Sequence, residues 1–307
     1  MVKAFGYSSN GGADVQEYFD LEMPTPLAGE LLVEVRAAGV NPVDWKVRSG
    51  AFGPAKEGDA PIAMGHEVAG VVREVGKDVD GFAVNDEVFG TVAAGSGGYA
   101  EYTVLPAEAA AKKPPQVSFT DAATLGIAAA TAYDAVTQLG LHEGQTLLIN
   151  GIGGGVGVAA AQIARDLGIN VIGTASEDKR TTVEALGATL VVYGDGVSDR
   201  VRQLMPDGVD AIFDLAGHDG LRAVADLLTD REKLISAGDP ETVAELGGHM
   251  VERDRTSRVL EIVAAMVADG KLDPHVEDIR SLDEAAEAVA AVEIGHARGK
   301  VVIEVSS

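Results

Sequence analysis

Leu147-Leu148-Ile149-Asn150-Gly151-Ile152-Gly153-Gly154-Gly155-Val156-Gly157-Val158-Ala159-Ala160-Ala161-Gln162-Ile163-Ala164-Arg165-Asp166-Leu167-Gly168-Ile169-Asn170-Val171-Ile172-Gly173-Thr174-Ala175-Ser176 decides the fold of this chain. An apolar run, Leu147 to Ile149, stops at a glycine-rich turn. A helix-like stretch from Val156 to Leu167 follows, and a second apolar run, Val171–Ile172, closes the unit. Strand, turn, helix and strand within about thirty residues is the size of a nucleotide-binding βαβ unit. The backbone N–H groups of such a turn are unpaired and point at one spot, where a pyrophosphate accepts them. Glycine keeps the backbone bare enough for that approach. The spacing Gly151-x-Gly153-x-x-x-Gly157 is one residue longer than the strict G-x-G-x-x-G string. Glycines alone leave a ligand-free turn equally open; the flanking strand and helix patterns favour a dinucleotide.

The chain has 307 residues, enough for two domains with full cores. With no cysteine, disulfides and thiolate metal sites are excluded. The first residues carry no signal-peptide pattern, and the apolar runs are too short to span a bilayer. These features predict a cytoplasmic protein. A net charge of −24 repels nucleic acid and anionic membranes, and reads most simply as a solubility feature. An anionic cofactor therefore needs a local positive island.

The first hundred residues alternate in short β-like runs (31–37, 68–75, 88–90, 100–104), punctuated by Gly, Pro, Asn and Asp, as at Asn41-Pro42, Gly53-Pro54 and Asn85-Asp86. Lys113-Pro114-Pro115 marks a boundary. Beyond it, alanine-rich helical sequence over 119–139 leads into the βαβ unit. Further strands are expected at 188–192, 211–215 and 233–237 with helices between them, a doubly wound parallel sheet. Helices are expected at 256–268 and 282–292. A last strand, 300–305, has no following helix and suits a return to the N-terminal β domain.

Several strings stand in a distinctive order: Asn41-Pro42-Val43-Asp44 with Arg48-Ser49-Gly50, Gly65-His66-Glu67-x-Ala69-Gly70-x-Val72 and Asp86-Glu87-Val88-Phe89-Gly90. Gly97-Gly98-Tyr99-Ala100-Glu101-Tyr102, Thr131-Ala132-Tyr133 and Gly295-His296-Ala297-Arg298-Gly299-Lys300-Val301-Val302 follow. Together they resemble the zinc-free quinone oxidoreductase branch of the medium-chain dehydrogenase/reductase superfamily. The resemblance implies an α/β protein: a GroES-like β-rich catalytic domain (1–115 with 269–307) and a Rossmann NADP-binding domain (116–268). It further implies an NADPH cofactor, hydride transfer to a quinone or an α,β-unsaturated carbonyl, and a homodimer. Related zinc-free reductases carry a small alanine where this chain has Ile152.

Zinc alcohol dehydrogenases use the Gly-His-Glu string for metal, but they carry cysteine at the place of Asn41 and near 126–127. A tetrahedral site needs three or four converging ligands. Asp44, His66 and Glu67 form at most an oxygen/nitrogen set, so no metal is expected and His66 reads as a hydrogen-bonded histidine opening a strand.

NAD sites usually place Asp or Glu at the end of the second strand. Here that strand ends at Ser176, with Glu177-Asp178-Lys179-Arg180 behind it. Ser176 donates a hydrogen bond, and Lys179 or Arg180 can neutralise a 2′-phosphate, although a solvated basic pair explains them equally. Glu177 is the competing feature, suited to a 2′-OH. NADPH is the expected cofactor. The resemblance further places Tyr193 at the adenosine, Thr131 and Asn41 at the nicotinamide, and Gly151, Gly153, Gly154, Gly155 and Val156 at the pyrophosphate. Ala216 and Gly238, at the ends of later strands, border the cofactor.

Lys46 stands where many quinone reductases have tyrosine. It is either a proton donor to the substrate carbonyl or a lysine on the surface or paired with Asp44. Trp45 either shapes the pocket or fills the core, and loops at 51–60 and 241–251 are expected to supply pocket side chains. Ala94-Gly95-Ser96-Gly97-Gly98 approximates a hydrolase nucleophile elbow, but a strand rather than a helix follows it, so a glycine hairpin is expected. An alcohol or aldehyde dehydrogenase and a non-catalytic NADPH-binding protein remain as alternatives.

Overall fold

The computed structural model describes residues 1–53, 61–295, 297 and 299–305. They form two compact units. One comprises Met1–Ile127, Arg255–Ala268 and Val276–Ser307, the other Ala128–Asp254 and Asp269–His275. Against the expected limits at 115/116 and 268/269, residues 116–127 and 255–268 pack with the first unit and 269–275 with the second.

The second unit carries a six-stranded parallel sheet. Its strands, from edge to edge, are Thr189–Val192, Asn170–Ala175, Thr146–Asn150, Ala211–Asp214, Leu234–Ser236 and His249–Met250. In chain order this is 3-2-1-4-5-6, the doubly wound arrangement. Thr146–Asn150 is buried at every position, as a strand covered on both faces requires. The Gly155–Asp166 helix buries every residue from Gly157 to Ala164. A Cβ on Gly157 would lie 2.5 Å from the Ile152 carbonyl oxygen, so the helix lies against the turn only because this residue lacks a side chain.

The first unit holds a seven-stranded sheet and a three-stranded one. The long Glu30–Val40 strand is the hub of the larger sheet, pairing with Glu67–Val75, Tyr102–Pro106 and the C-terminal Lys300–Glu304. The last strand thus returns to the N-terminal β structure, Val301 opposite Val40. Phe5, Leu31, Val33, Val68, Val88, Tyr99, Leu105 and Ile303 are among its core, each 3% exposed or less. Each such side chain contributes about 1.5–3 kcal/mol on burial.

Two local readings change. Asn41-Pro42 is not loop punctuation but a helix start: Asn41 is the N-cap and Pro42 the first residue of Pro42–Ser49, where a missing N–H costs nothing. The 241–251 segment is not a loop, because Asp239 caps a Pro240–Glu245 helix and the His249–Met250 strand follows. Residues 119–139 divide into Phe119–Ala122, a π-helical turn Leu125–Ala129 and Ala130–Leu139. The turn at 94–98 leads to the Tyr102–Pro106 strand, not to a helix, so the elbow geometry is absent.

Candidate functional site

In the second unit one residue at the carboxyl end of each of four adjacent strands is polar and buried. Thr174, Asn150, Asp214 and Ser236 lie directly opposite one another across the sheet. Thr174 Oγ1 donates to Asn150 Oδ1 (2.6 Å), Asn150 Nδ2 to Asp214 Oδ1 (2.8 Å), and Ser236 Oγ to Asp214 Oδ2 (2.9 Å). The row also holds the loops above it. Gly151 N–H donates to Thr174 Oγ1, Ala216 and Gly217 N–H to Asp214, and Gly238 and Asp239 N–H to Ser236 Oγ. Asp239 in turn accepts from His218 and Thr242 N–H, which hold its carboxyl down at about 2. Buried polar groups of this kind must be satisfied, and here they are satisfied by the crest loops themselves.

That row holds three of the expected cofactor contacts directly: Gly151, Ala216 and Gly238. Gly151 begins the turn with φ 94° and gives its N–H to Thr174. Gly153, Gly154, Gly155 and Val156 run into the twelve-residue Gly155–Asp166 helix, whose N-cap, Gly154, is exposed and has no side chain to cap it. Among the described residues no side chain caps the N–H groups of the first turn, and a Cβ on Gly154 would meet nothing within 4 Å. Such a bare, roomy helix start suits a pyrophosphate. Ala216 and Gly238 are exposed at the same strand ends. Tyr193, 61% exposed, directly follows the Thr189–Val192 strand. Thr131 is buried in the first turn of Ala130–Leu139, a helix packed on Gly155–Asp166.

The two basic residues behind Ser176 separate. Arg180 forks onto Glu177 with two bonds of 2.7 Å and reaches Glu184 at 2.9 Å. Glu177, the competing feature for a ribose hydroxyl, is occupied by that fork, which also holds its carboxyl below the usual range. Lys179 instead runs along the glycine turn: a Cβ on Gly153 would lie 3.3 Å from its Cγ. Ser176 is half-buried and stands at the start of the short Glu177–Lys179 turn.

In the first unit, Asn41 and Asp44 join a second buried network. Asp44 Oδ2 accepts from Asn41 N–H (2.7 Å) and Tyr99 hydroxyl (2.6 Å), and Asp44 Oδ1 lies 2.5 Å from His66 Nδ1. Burial disfavours charge on His66, but the Asp44 hydrogen bond and the charges of Asp44 and Glu67 outweigh it and raise the pKa. Burial, reinforced by Asp44, pushes the Tyr99 hydroxyl well above its usual range, so it stays a donor. Glu67, fully buried, accepts from Asn41 Nδ2 (2.7 Å), Lys300 Nζ (3.0 Å) and Ile127 N–H (2.7 Å). Ile127 lies within the π-helical turn Leu125–Ala129.

Lys46 is half-buried with its ammonium 5.8 Å from the Trp45 ring centroid, and Asp44 is committed to other partners. Trp45 packs against the core of this unit. Of the expected pocket loop 51–60, residues 54–60 lie outside the described residues, as do His296 and Arg298 of the C-terminal string.

Residues 27–115 match the alcohol dehydrogenase GroES-like domain, and 186–303 match the zinc-binding dehydrogenase family. The human quinone oxidoreductase is 34% identical over 79% of this chain and 75% of its own length. The chain belongs to the medium-chain dehydrogenase/reductase superfamily, in its quinone oxidoreductase branch. The Arabidopsis thaliana NADPH-dependent alkenal/one oxidoreductase of the chloroplast is 31% identical over 98% of this chain and 79% of its own. Among solved structures, the Coxiella burnetii quinone oxidoreductase superposes with a TM-score of 0.89 at 29% identity, covering 99% of both chains.

As a member of this superfamily the chain shows what its sequence strings alone conceal. Lys300 stands inside a quoted string without a role, and Glu67 only in the rejected oxygen/nitrogen metal set, yet both join Asn41. Asn150, Asp214 and Ser236 had a legible signal: each ends an apolar strand run with a polar residue. Among the described residues no group of three or more His, Asp or Glu side chains is placed to hold a metal ion. None of the described helices is long and apolar enough to cross a membrane.

Proposed function

We propose that this chain is an NADPH-dependent oxidoreductase that transfers hydride to a quinone or to the β-carbon of an α,β-unsaturated carbonyl, without zinc. The observation that carries the reading is the bare glycine turn above the Thr174–Asn150–Asp214–Ser236 row, in a chain whose relatives are named quinone and alkenal/one oxidoreductases. Bound NADPH supplies the hydride; the protein supplies position and a dry site. Gly151, Gly153, Gly154, Gly155 and Val156 receive the pyrophosphate. Ser176 and Lys179 hold the 2′-phosphate, Tyr193 lines the adenosine, and Ala216 and Gly238 border the cofactor. Thr131 and Asn41 hold the nicotinamide end.

Zinc independence rests on the donor atoms. Asn41 Oδ1 and Glu67 Oε1 both accept from the Lys300 ammonium, and Asp44 is bonded to His66, Tyr99 and Asn41. A divalent cation at these oxygens would have to displace a fixed positive charge. The proposal includes a division of labour between a catalytic domain and an NADP-binding domain, a cytoplasmic location and a homodimer. Light scattering on the eluted protein tests the dimer.

Following NADPH absorbance with a panel of quinones, enones and simple aldehydes tests the activity. Turnover of quinones or enones, faster with NADPH than NADH and unchanged by chelator, is expected. Turnover of aldehydes alone would point to an alcohol dehydrogenase-type reductase, and NADPH binding without consumption to a non-catalytic protein. Lys46 is the proposed proton donor; Lys46→Met with unchanged turnover would remove it from the mechanism.

A further inference from the structure

Lys300 opens the last strand and is 5% exposed, and its ammonium has three acceptors: Asn41 Oδ1 at 2.7 Å, Glu67 Oε1 at 3.0 Å and the Val40 carbonyl at 3.3 Å. Three donors meet three acceptors, so the ammonium is saturated. The arrangement comes from strand pairing. Val301 lies opposite Val40, and Gly39 lies opposite Glu67, so the ends of three neighbouring strands bring Lys300, Asn41 and Glu67 to one place. Gly39 makes room, since a Cβ there would lie 2.4 Å from Glu67 Oε1.

We propose that Lys300 is a positioning residue of the site, an internal cation that, paired with Glu67, locks the Asn41 amide in one orientation. The Asn41 oxygen faces the ammonium, and its Nδ2 donates to the carboxylate at 2.7 Å. Rotating the amide by half a turn would set an NH2 group against an ammonium and an oxygen against a carboxylate. Both contacts would be repulsive in a buried setting, so only one orientation survives. The cation on the oxygen and the anion on the N–H polarise the amide in the same sense. The inference rests on the proposed reading insofar as Asn41 touches the nicotinamide end.

Removing the lysine alone leaves Glu67 buried without a counter-charge, and Lys300→Met is expected to unfold more readily. The deciding variant is therefore Lys300→Met/Glu67→Gln, which removes both charges at similar volume. Its melting temperature is expected to recover towards wild type, while kcat falls by about 10²-fold, the scale of a misplacement near 1 Å. NADPH affinity, set largely by the other unit, is expected to stay within about twofold of wild type, a shift of roughly 0.4 kcal/mol. A double variant with both wild-type stability and wild-type kcat would overturn the inference. A readout independent of turnover is the Asn41 side-chain NH2 signal in a 15N correlation spectrum, assigned by its loss in Asn41→Ser. Slow hydrogen exchange in wild type and fast exchange in the double variant is the expected pattern. Equal exchange in the two would refute the lock even if no acceptor is ever reduced, whereas absence of wild-type turnover with the exchange pattern intact would refute only the proposed activity.

Discussion

Ile152 occupies the space that a side chain on Gly173 would need. A Cβ at Gly173 would lie 2.4 Å from Ile152 Cγ2 and 2.5 Å from its Cδ1, and Ile152 is fully buried. The large residue in the glycine turn is thus matched by a missing side chain on the neighbouring strand. Gly173→Ala is expected to destabilise by about 1–3 kcal/mol through overpacking. Ile152→Ala is expected to cost about 2–5 kcal/mol through the cavity it leaves. The double variant should lose clearly less than the sum, because the new methyl enters the vacated space. Urea denaturation of all four proteins measures the cycle, and strict additivity would contradict the pairing.

The polar row makes Asp214 the acceptor for four groups: Asn150, Ala216, Gly217 and Ser236. Asp214→Ala strands buried donors at about 1–3 kcal/mol each. A total loss of roughly 3 kcal/mol or more is expected, together with weaker NADPH binding in a fluorescence titration. Ser236→Ala removes one of those donors and the acceptor of the Gly238 and Asp239 N–H groups, and should cost about 1–3 kcal/mol. An Asp214→Ala protein as stable as wild type would mean that the row does not hold the crest loops.

Cofactor choice separates the adjacent cations. Lys179→Ala should raise the KM for NADPH about tenfold, the worth of one charge-assisted hydrogen bond, and leave the KM for NADH alone. Arg180→Ala should raise the KM for NADPH less than Lys179→Ala does, since its guanidinium is committed to Glu177 and Glu184, and should lower the KM for NADH by releasing Glu177 to a ribose hydroxyl. Steady-state kinetics with both cofactors decides it; a larger NADPH effect from Arg180→Ala would reverse the assignment.

Asp239 links acid stability to the same loops. His218 and Thr242 N–H hold its carboxyl at about 2, below the ordinary aspartate value. A depressed pKa contributes stability that is present above the unfolded value and lost as the pH falls through the folded one. Asp239→Asn keeps a capping oxygen but loses the charge that the two N–H groups favour, so it should be less stable than wild type at pH 5 to 7, by about 1 kcal/mol. The gap should shrink as the pH falls from about 4 towards 2. Guanidinium denaturation at several pH values reads it, and a gap that widens in acid would contradict the assignment.

The sequence by itself determined the Rossmann unit, because the glycine turn and its flanking strand and helix report on contacts within thirty residues. It also determined the return of the 300–305 strand, through the absence of a helix behind it. Proline misled at Pro42, where the same residue that punctuates loops also starts helices. Only the tertiary structure decided which polar residues build the site. Lys300 meets Asn41 and Glu67 across 259 and 233 residues, and Asp214 meets Asn150 across 64. Strand pairing sets those meetings, and a local pattern of residues carries no record of which strand ends will be neighbours. The glycines, likewise, announced a turn, but the room for Ile152 came from Gly173 on another strand.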